Sequence, residues 1–385
     1  MATVVGTRLT LSDTIGIAVD MSPVIQLIDP YDVGLLSYFG LSSLSKEASE
    51  TKHSWMEDSL RPLTTVLDGS GIAAAGTLTF GVTAGAGVLF RAGDIILLES
   101  EQIRLSADPS TDTLTTIASP NGRGWGGTTA AAHAAATAVE IISLTTPEGQ
   151  ATPGLTRSQV KTQVDNFTQI FEDVVQVSST LEAVEQWNPG SEYARQLGKT
   201  MKSLLILMDK TFIFGKAVQR ASANSNTGAM GGLRHFITTN VTAASSAQLS
   251  EKLCLDALFQ TYAAGGNVKV AVMTLTQKRA LNKFLDPNRR TGMDDRRAGA
   301  IVDTYLWDHG VVDTLIDRWM PADEVMFLDS EHIGFGPLRG QALHHEILPK
   351  PSLLVQKGEI VGEYTCEVKS QTAHARITGL TSTIV

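Results

Sequence analysis

Lysine is missing from a long middle stretch of this 385-residue sequence: none occurs between Lys52 and Lys161. Cysteine is nearly absent, with only Cys254 and Cys366, too few for a disulfide framework and suited to a reducing cytoplasm. Charged residues make up only 18% of the chain, and the balance is acidic, with a formal net charge of −9. A protein whose main work is gripping phosphates carries a basic excess, and this chain has none. The N-terminal stretch, broken by Arg8, Asp13 and Asp20, lacks the apolar core of a signal peptide, so export is not expected. One charge-free run, Gly69 to Phe90, is long enough to cross a bilayer. It holds six glycines among threonines, too flexible and weakly apolar for a spanning helix, so no membrane partner is expected.

What is present supports real cores. Apolar residues are 43% of the chain, which excludes intrinsic disorder, and the length suggests two or three domains at roughly 100–200 residues each. Residues 1 to 65 carry 8 acids and 4 bases, residues 66 to 150 carry 8 and 3, and residues 151 to 385 carry 24 of each. The acidity therefore lies in the first 150 residues. The lysine-free stretch is also dense in Gly, Ala, Thr and Ser, which marks a separate module.

That module reads as β. Thr77 to Phe80, Ile95 to Leu98, Gln102 to Leu105, Asp112 to Ile117 and Ala138 to Ile142 are short runs rich in β-branched residues. Turn sequences such as Asp108-Pro109-Ser110 and Pro120-Asn121-Gly122 separate them, predicting a small antiparallel barrel or sandwich. Gln169 to Val177 then reads as a strand. After Pro189-Gly190, Ser191 is placed to cap a helix in which Ala194, Leu197, Met201, Leu204, Leu205, Met208 and Phe212 recur at three- and four-residue steps. This predicts one amphipathic helix of about seven turns.

The remainder alternates as α+β without strict βαβ winding. A helix from Ser250 to Ala264 ends at Gly265-Gly266, with Leu253, Ala257 and Leu258 on one face. Val268, Val270 and Val272 alternate as a strand, and Thr276 caps a short helix through Phe284. Ile301 to Trp307 and Val311 to Ile316 predict a hairpin turned at Asp308-His309-Gly310. Glu324 to Leu328 and Leu353 to Val368 supply further strands.

Catalytic and cofactor patterns are missing. No histidine pair sits at i, i+4 with a carboxylate, and His344-His345 would point to opposite sides of a strand. Asp303, Asp308, Asp313 and Asp317 alternate with apolar residues and read as the solvated face of the hairpin. Gly122-Arg123-Gly124-Trp125-Gly126-Gly127-Thr128 invites a phosphate-loop reading but lacks the Gly-Lys-Ser/Thr ending, so its glycines are read as structural. Gly228, Gly231 and Gly232 open no dinucleotide fingerprint. Cys254 and Cys366 read as inert core thiols. No catalytic, metal or cofactor residue is assigned. Arg289, Arg290, Arg296 and Arg297 surround Asp294 and Asp295, and the interleaved charges favour contacts with a neighbouring copy over nucleic acid.

The string NFTQIFEDVVQVSSTLEAVEQW followed by SEYARQLGKTMKSLLILMDKTFIFG resembles the strand and long spine helix of tailed-phage major capsid proteins. VDTYLWDHG, RWMPADEVMFLD and GEYTCEVKSQTAHARITGL follow in the family's order. GDIILLESEQIRLSAD and GRGWGGTTAAAHAAATAV are similar to small β insertions of phage structural proteins. The resemblance runs from about residue 60 to the end and implies an α+β fold of the Hong Kong ninety-seven phage capsid type, with peripheral and axial domains and a small all-β insertion. Transferred onto this chain, 1–57 is an N-terminal arm and 58–165 an extended loop carrying the β-domain at about 72–143. Residues 166–219 form the peripheral domain, with the spine helix from Ser191 to Val218, 220–345 the axial domain, and 346–385 the return to the peripheral domain.

The resemblance implies a non-enzymatic shell subunit enclosing the double-stranded DNA of a tailed phage, built from hexamers and pentamers in the host cytoplasm. Scaffolding, portal and cement proteins are its expected partners, with weak non-specific contact to packaged DNA. No charged helical extension precedes the fold, so the scaffold is expected to be a separate protein. Some members of this fold join neighbours covalently through a lysine on the extended loop. The lysine gap here predicts a non-covalent shell. A nanocompartment shell of the same fold is the alternative, and a glycan-binding protein or enzyme using the β module is a third reading.

Overall fold

The computed structural model describes residues 31, 33–149, 159–184, 191–285, 304–308, 310–349 and 354–382. It divides into two units, Met1–Trp55 with Val164–Val385, and Met56–Gln163.

The first unit begins with a short helix, α1 (Gly34–Phe39), which buries Gly34, Leu35 and Leu36. The first turn of a helix leaves N–H groups without partners. Here two carboxylates from far along the chain take them: Leu35 N–H donates to Asp317 Oδ2 at 3.2 Å and Leu36 N–H to Asp209 Oδ1 at 3.0 Å. Asp317 is fully buried, which corrects its placement on a solvated hairpin face. The alternation of β13 ends before it, and its carboxylate also accepts the Trp319 N–H at 2.7 Å. Strand β1 (Lys52–Glu57) follows.

The second unit is an antiparallel sheet of six strands: β2 (Thr64–Val66), β3 (Thr79–Gly81), β4 (Asp94–Leu98), β5 (Glu101–Ser110), β6 (Thr113–Thr116) and β7 (Ala138–Leu144). Their spatial order is β2-β7-β4-β5-β6-β3. Inward-facing Ile96, Leu98, Ile103, Leu105, Leu114 and Val139 are fully buried and form the core with Ile72, Phe80 and Phe90. The turn expected at Asp108-Pro109-Ser110 is instead part of β5, and the chain reverses at Thr111, which has φ 58°. Register shifts between Leu105 and Ser110 absorb Pro109, which has no N–H to give the ladder.

Back in the first unit, β8 (Thr162–Phe167) pairs with β1 and leads into β9 (Gln169–Ser178) and α2 (Ser179–Ala183). The long helix α3 (Glu192–Phe214) is capped by Ser191, whose side chain accepts the Ala194 N–H. Its 23 residues span about 35 Å. It ends at Phe214 rather than Val218. A Cβ on Gly215 would lie 2.3 Å from the Met230 carbonyl oxygen and 2.6 Å from that of Thr211, so the returning chain occupies the space another helical turn would need.

Next come α4 (Leu233–Phe236), β10 (Val241–Ala243), α5 (Glu251–Ala263), β11 (Val270–Met273), α6 (Leu275–Leu285), β12 (Thr304–Trp307), β13 (Gly310–Ile316) and β14 (Val325–Leu328). Then follow β15 (Ile333–Pro337), β16 (His344–Ile347), β17 (Val355–Val368) and β18 (Ala375–Thr378). The expected hairpin is β12–β13, with Trp307 opposite Gly310. On α5 the buried positions are Cys254, Ala257, Leu258 and Thr261, with Leu253 only partly covered. Helix α6 starts one residue ahead of Thr276, and Lys278 N–H bonds back to the Thr274 carbonyl.

Strands β10, β18, β14, β11, β13 and β12 form one mixed sheet in that order. All four residues of β11 and all four of β14 are buried, so neither alternates as a half-exposed strand would. Val270, Val272, Met326 and Leu328 face the core shared with α1 and α3, while Ala271, Met273, Val325 and Phe327 face the core of Cys254 and Leu258 from α5 and Leu281 from α6. Strands β11 and β13 run parallel with α6 packed on both, one local βαβ crossing that the sequence pattern did not display. The other sheet pairs β17 with β9 along one edge and with β15 and β16 along the other.

Candidate assembly surfaces

The glycine-rich segment is a clasp, and its one cation is already taken. Arg123 is fully buried, and its guanidinium grips Glu101 at two points, Nε to Oε1 at 2.7 Å and Nη2 to Oε2 at 2.8 Å. Its remaining donors reach the carbonyls of Thr77 at 2.8 Å, Ala74 at 3.3 Å, and Ala131. Glu101 also accepts the Gly124 and Ala131 N–H groups, each at 3.0 Å, and meets His133 Nε2 at 2.9 Å. Burial alone would raise the Glu101 pKa, but Arg123, Ala131, His133 and Gly124 together hold it at about 2. Gly124, Gly126 and Gly127 have positive φ of 61°, 68° and 87°, which lets the loop fold over the ion pair. Sequence reasoning missed this cluster although a signal was there: in Glu101-x-Ile103-x-Leu105 the glutamate holds an inward position of the alternation.

A second carboxylate knot lies in the first unit. Glu367 on β17 meets His53 Nε2 at 2.6 Å, Lys369 Nζ at 2.7 Å and Ser45 Oγ at 3.0 Å. Burial pushes its pKa up, but these three partners bring it down to about 2. The knot fastens the segment before β1 to the far end of β17. Nearby, Asn166 Nδ2 donates to the carbonyls of Cys366 at 2.8 Å and Gly231 at 3.1 Å.

Both cysteines are buried free thiols. Burial pushes Cys254 up to about 12 and Cys366 upward as well, so neither is a nucleophile at neutral pH. His344 and His345 do point to opposite faces: His345 Nε2 lies 2.8 Å from Tyr193 Oη, and His344 Nδ1 lies 2.8 Å from the Ala342 carbonyl oxygen. Among the described residues, no group of three or more His, Cys, Asp or Glu could hold a metal ion, and no helix is long and apolar enough to cross a membrane. Arg289, Arg290, Asp294, Asp295, Arg296 and Arg297 lie outside the described residues.

The β9–β17–β16 sheet has two unlike faces. On one, Phe171, Val175, Ile360 and Tyr364 are buried, and α3 packs on both β9 and β17. On the other, the register sets Glu172 beside Val361 and His344, Val174 beside Glu359 and Glu346, and Gln176 beside Lys357. Ile170, Glu172, Val174 and Glu346 are exposed there. Among the described residues of this unit, exposed apolar and charged side chains on one sheet face suit contact with other molecules rather than chemistry.

Comparison with known proteins gives three findings. The family model described as SU10 major capsid protein matches residues 3–381. No protein of curated function matches the chain in sequence. Among solved structures, the Cyanophage A-1(L) capsid superposes with TM-score 0.57 at 8% identity, over 97% of this chain and 100% of that one. The capsid of the native GTA particle gives TM-score 0.55 at 10% identity, over 96% and 98%. Microbacterium phage Oxtober96 gives 0.52 at 11%, over 96% and 98%. At such identities these likenesses establish a shared fold.

Proposed function

The chain belongs to the SU10 major capsid protein family, and on that premise we propose how it serves as the structural subunit of a phage shell. The single observation that carries the reading is the family match over residues 3–381, supported by likeness to phage capsid structures across nearly the whole chain. It favours a phage shell over a nanocompartment.

In this reading the subunit performs no catalysis, and its work is done by surfaces shared between copies in hexamers and pentamers. Residues 1–57 are the arm, 58–165 the extended loop with its β-domain, and α3 the spine helix. Residues 220–345 form the axial domain, and 346–385 return to the peripheral domain. The six-stranded unit Met56–Gln163 supports an inserted loop module, since it has a core of its own. The knot of Ser45, His53, Glu367 and Lys369 suits an arm that must be held at its base. The segment from Arg289 to Arg297 contacts neighbouring copies. The shell assembles in the host cytoplasm with scaffolding and portal proteins, and the β-domain or a cement protein reinforces contacts between capsomers.

Electron microscopy of the purified full-length chain tests the reading. Closed icosahedral shells or capsomer rings are expected, and a small monodisperse particle would overturn it. Deleting residues 72–143 tests the role of the β-domain, which fails if assembly and particle stability are unchanged.

A further inference from the structure

Strand β9 has one edge paired and one edge open. Its ladder with β17 runs without a shift from Gln169 opposite Tyr364 to Ser178 opposite Val355. The other bonds of β17 reveal which main-chain groups of β9 are spent there. The Lys357 carbonyl accepts the Leu348 N–H at 3.0 Å, the Glu363 N–H donates to the Gln341 carbonyl at 2.9 Å, and the Glu363 carbonyl accepts the Leu338 N–H at 2.8 Å. Lys357 and Glu363 thus face away from β9. Hydrogen-bonded and non-hydrogen-bonded pairs alternate along an antiparallel ladder, so Gly358, Ile360 and Gly362 are the residues that bond β9, through Val175, Asp173 and Phe171. Ile170, Glu172, Val174 and Gln176 therefore turn their N–H and C=O groups outward.

Val174 agrees with this parity, because its N–H donates to the neighbouring Asp173 Oδ1 at 2.8 Å instead of to β17. At Thr168 the same edge is closed by Thr51, whose carbonyl accepts the Thr168 N–H at 2.9 Å. Past that point, among the described residues, no strand pairs with it. An open edge is a template for another strand, and proteins blunt such edges with lysine, proline or a bulge. From Gln169 to Ser178 there is none of these. The outward residues carry side chains to one exposed face, with Ile170 52% and Val174 39% exposed.

We propose that β9 pairs antiparallel with β9 of a second copy, across a two-fold axis at Val174. The proposal rests on the reading of the chain as a self-assembling subunit and names one contact between copies. Charge selects the register. An axis at Glu172 would set that glutamate against itself, and an axis at Asp173 would do the same to the aspartate, both costly in a sheet. An axis at Val175 would drop Ile170 from the ladder. With the axis at Val174, Val174 meets Val174 of the partner subunit and Glu172 meets the partner's Gln176, on both sides of the axis. On the other face Asp173 meets the partner's Val175, so no like charges are opposed. Such a contact is isologous and closes on two copies, which means that it joins neighbouring rings rather than building one.

Val174→Cys in the full-length chain tests the pairing. Residues of a hydrogen-bonded pair have Cα atoms about 5.5 Å apart, within disulfide reach. Glu172 lies four residues along the strand from its own counterpart, about 13 Å, which is out of reach. Cys254 and Cys366 are buried and do not compete. After mild oxidation, non-reducing gels should show Val174→Cys as a dimer and Glu172→Cys as a monomer. No dimer from Val174→Cys, or equal dimer from both, would overturn the proposal.

Sedimentation supplies a second readout. Val174→Pro removes an N–H that β17 does not use, so the strand keeps its own ladder while the dimer dissociation constant should rise at least tenfold. Gln176→Lys places two opposite-charge pairs across the axis and should lower that constant by roughly two- to thirtyfold, and Gln176→Glu should raise it by a similar factor. Equal constants for the two Gln176 variants would overturn the register. Shells that form from Val174→Cys without the cross-link sink this contact alone. Cross-linked dimers that close into no shell leave the contact standing and sink the shell reading.

Discussion

Glu101 and Arg123 meet in a two-point ion pair at 2.7 and 2.8 Å, each side chain only 1% exposed, inside the unit that spans Met56 to Gln163. Taking two charges out of water is costly, and the pair is tolerable because every remaining lone pair and donor around it has a partner. Arg123→Met would strand a buried carboxylate, with an expected loss of roughly 3–5 kcal/mol. Hydrogen exchange read by mass spectrometry should show residues 94–144 losing protection while residues 191–285 keep theirs. Unchanged protection of the β sheet would mean that the clasp contributes nothing.

Acid should act on this pair and on the Glu367 knot together. Both carboxylates have folded pKa values of about 2, below the ordinary glutamate value of 4.5. Their contribution is therefore complete above pH 4.5 and is lost as pH falls from there toward 2. Thermal unfolding between pH 5 and pH 3 is expected to show a falling midpoint, and a midpoint flat over that range would contradict the assignment.

His374 acts in a higher window. It is fully buried, its Nδ1 accepts the Asp329 N–H at 3.1 Å, and its Nε2 lies 3.2 Å from the Lys369 carbonyl oxygen. Burial lowers its pKa from 6.5 to about 4, outweighing the Lys369 hydrogen bond and the charge of Asp329. The folded state thus keeps the neutral ring, and stability present above pH 6.5 is lost as pH falls toward 4, by about 2 kcal/mol between pH 7 and pH 5. In His374→Gln the melting temperature should change much less over that interval. An equal change in the variant would assign the pH dependence to another group.

Phe212 ties three elements. Its ring is fully buried, 5.8 Å from Phe39 and 5.3 Å from Phe335. Phe212→Ala should cost about 3–5 kcal/mol through lost burial and the cavity left behind. The urea midpoint of the full chain, followed by tryptophan fluorescence, should drop accordingly. A loss under 1 kcal/mol would mean that the neighbouring rings close the gap.

The lysine gap makes a prediction about particles. With no lysine between Lys52 and Lys161, the proposed extended loop, 58–165, offers no amine for an isopeptide bond along its reach before Lys161 near its returning end. Mature particles boiled in SDS should run as a single monomer band, and a ladder of multimers would show a covalent link by another route.

Much of the framework was legible in order along the chain. The long helix, its Ser191 cap, α5 with its Gly265-Gly266 end, the β12–β13 hairpin and the β character of the lysine-free stretch follow from spacing and propensity, which act over a few residues. The misreadings share a cause. Pro109 looked like a turn because bulges that accommodate it depend on the partner strand, and the end of α3 was overrun because the obstacle is Met230, remote in sequence. Val270 and Val272 read as one face of an alternating strand, whereas helices on both sides bury every residue of β11.

The site shows the same division. By itself the sequence determined that this protein is acidic, free of catalytic patterns, and built from one long helix and many short strands, because composition and periodicity are properties of neighbouring residues. Only the tertiary structure decided what individual charges do. It carried Asp317 across 282 positions to the N–H of Leu35 and closed Arg123 onto Glu101. A charge acquires its role from what lies within a few ångströms of it, and in these pairs the partner is supplied by the fold rather than by the adjoining sequence.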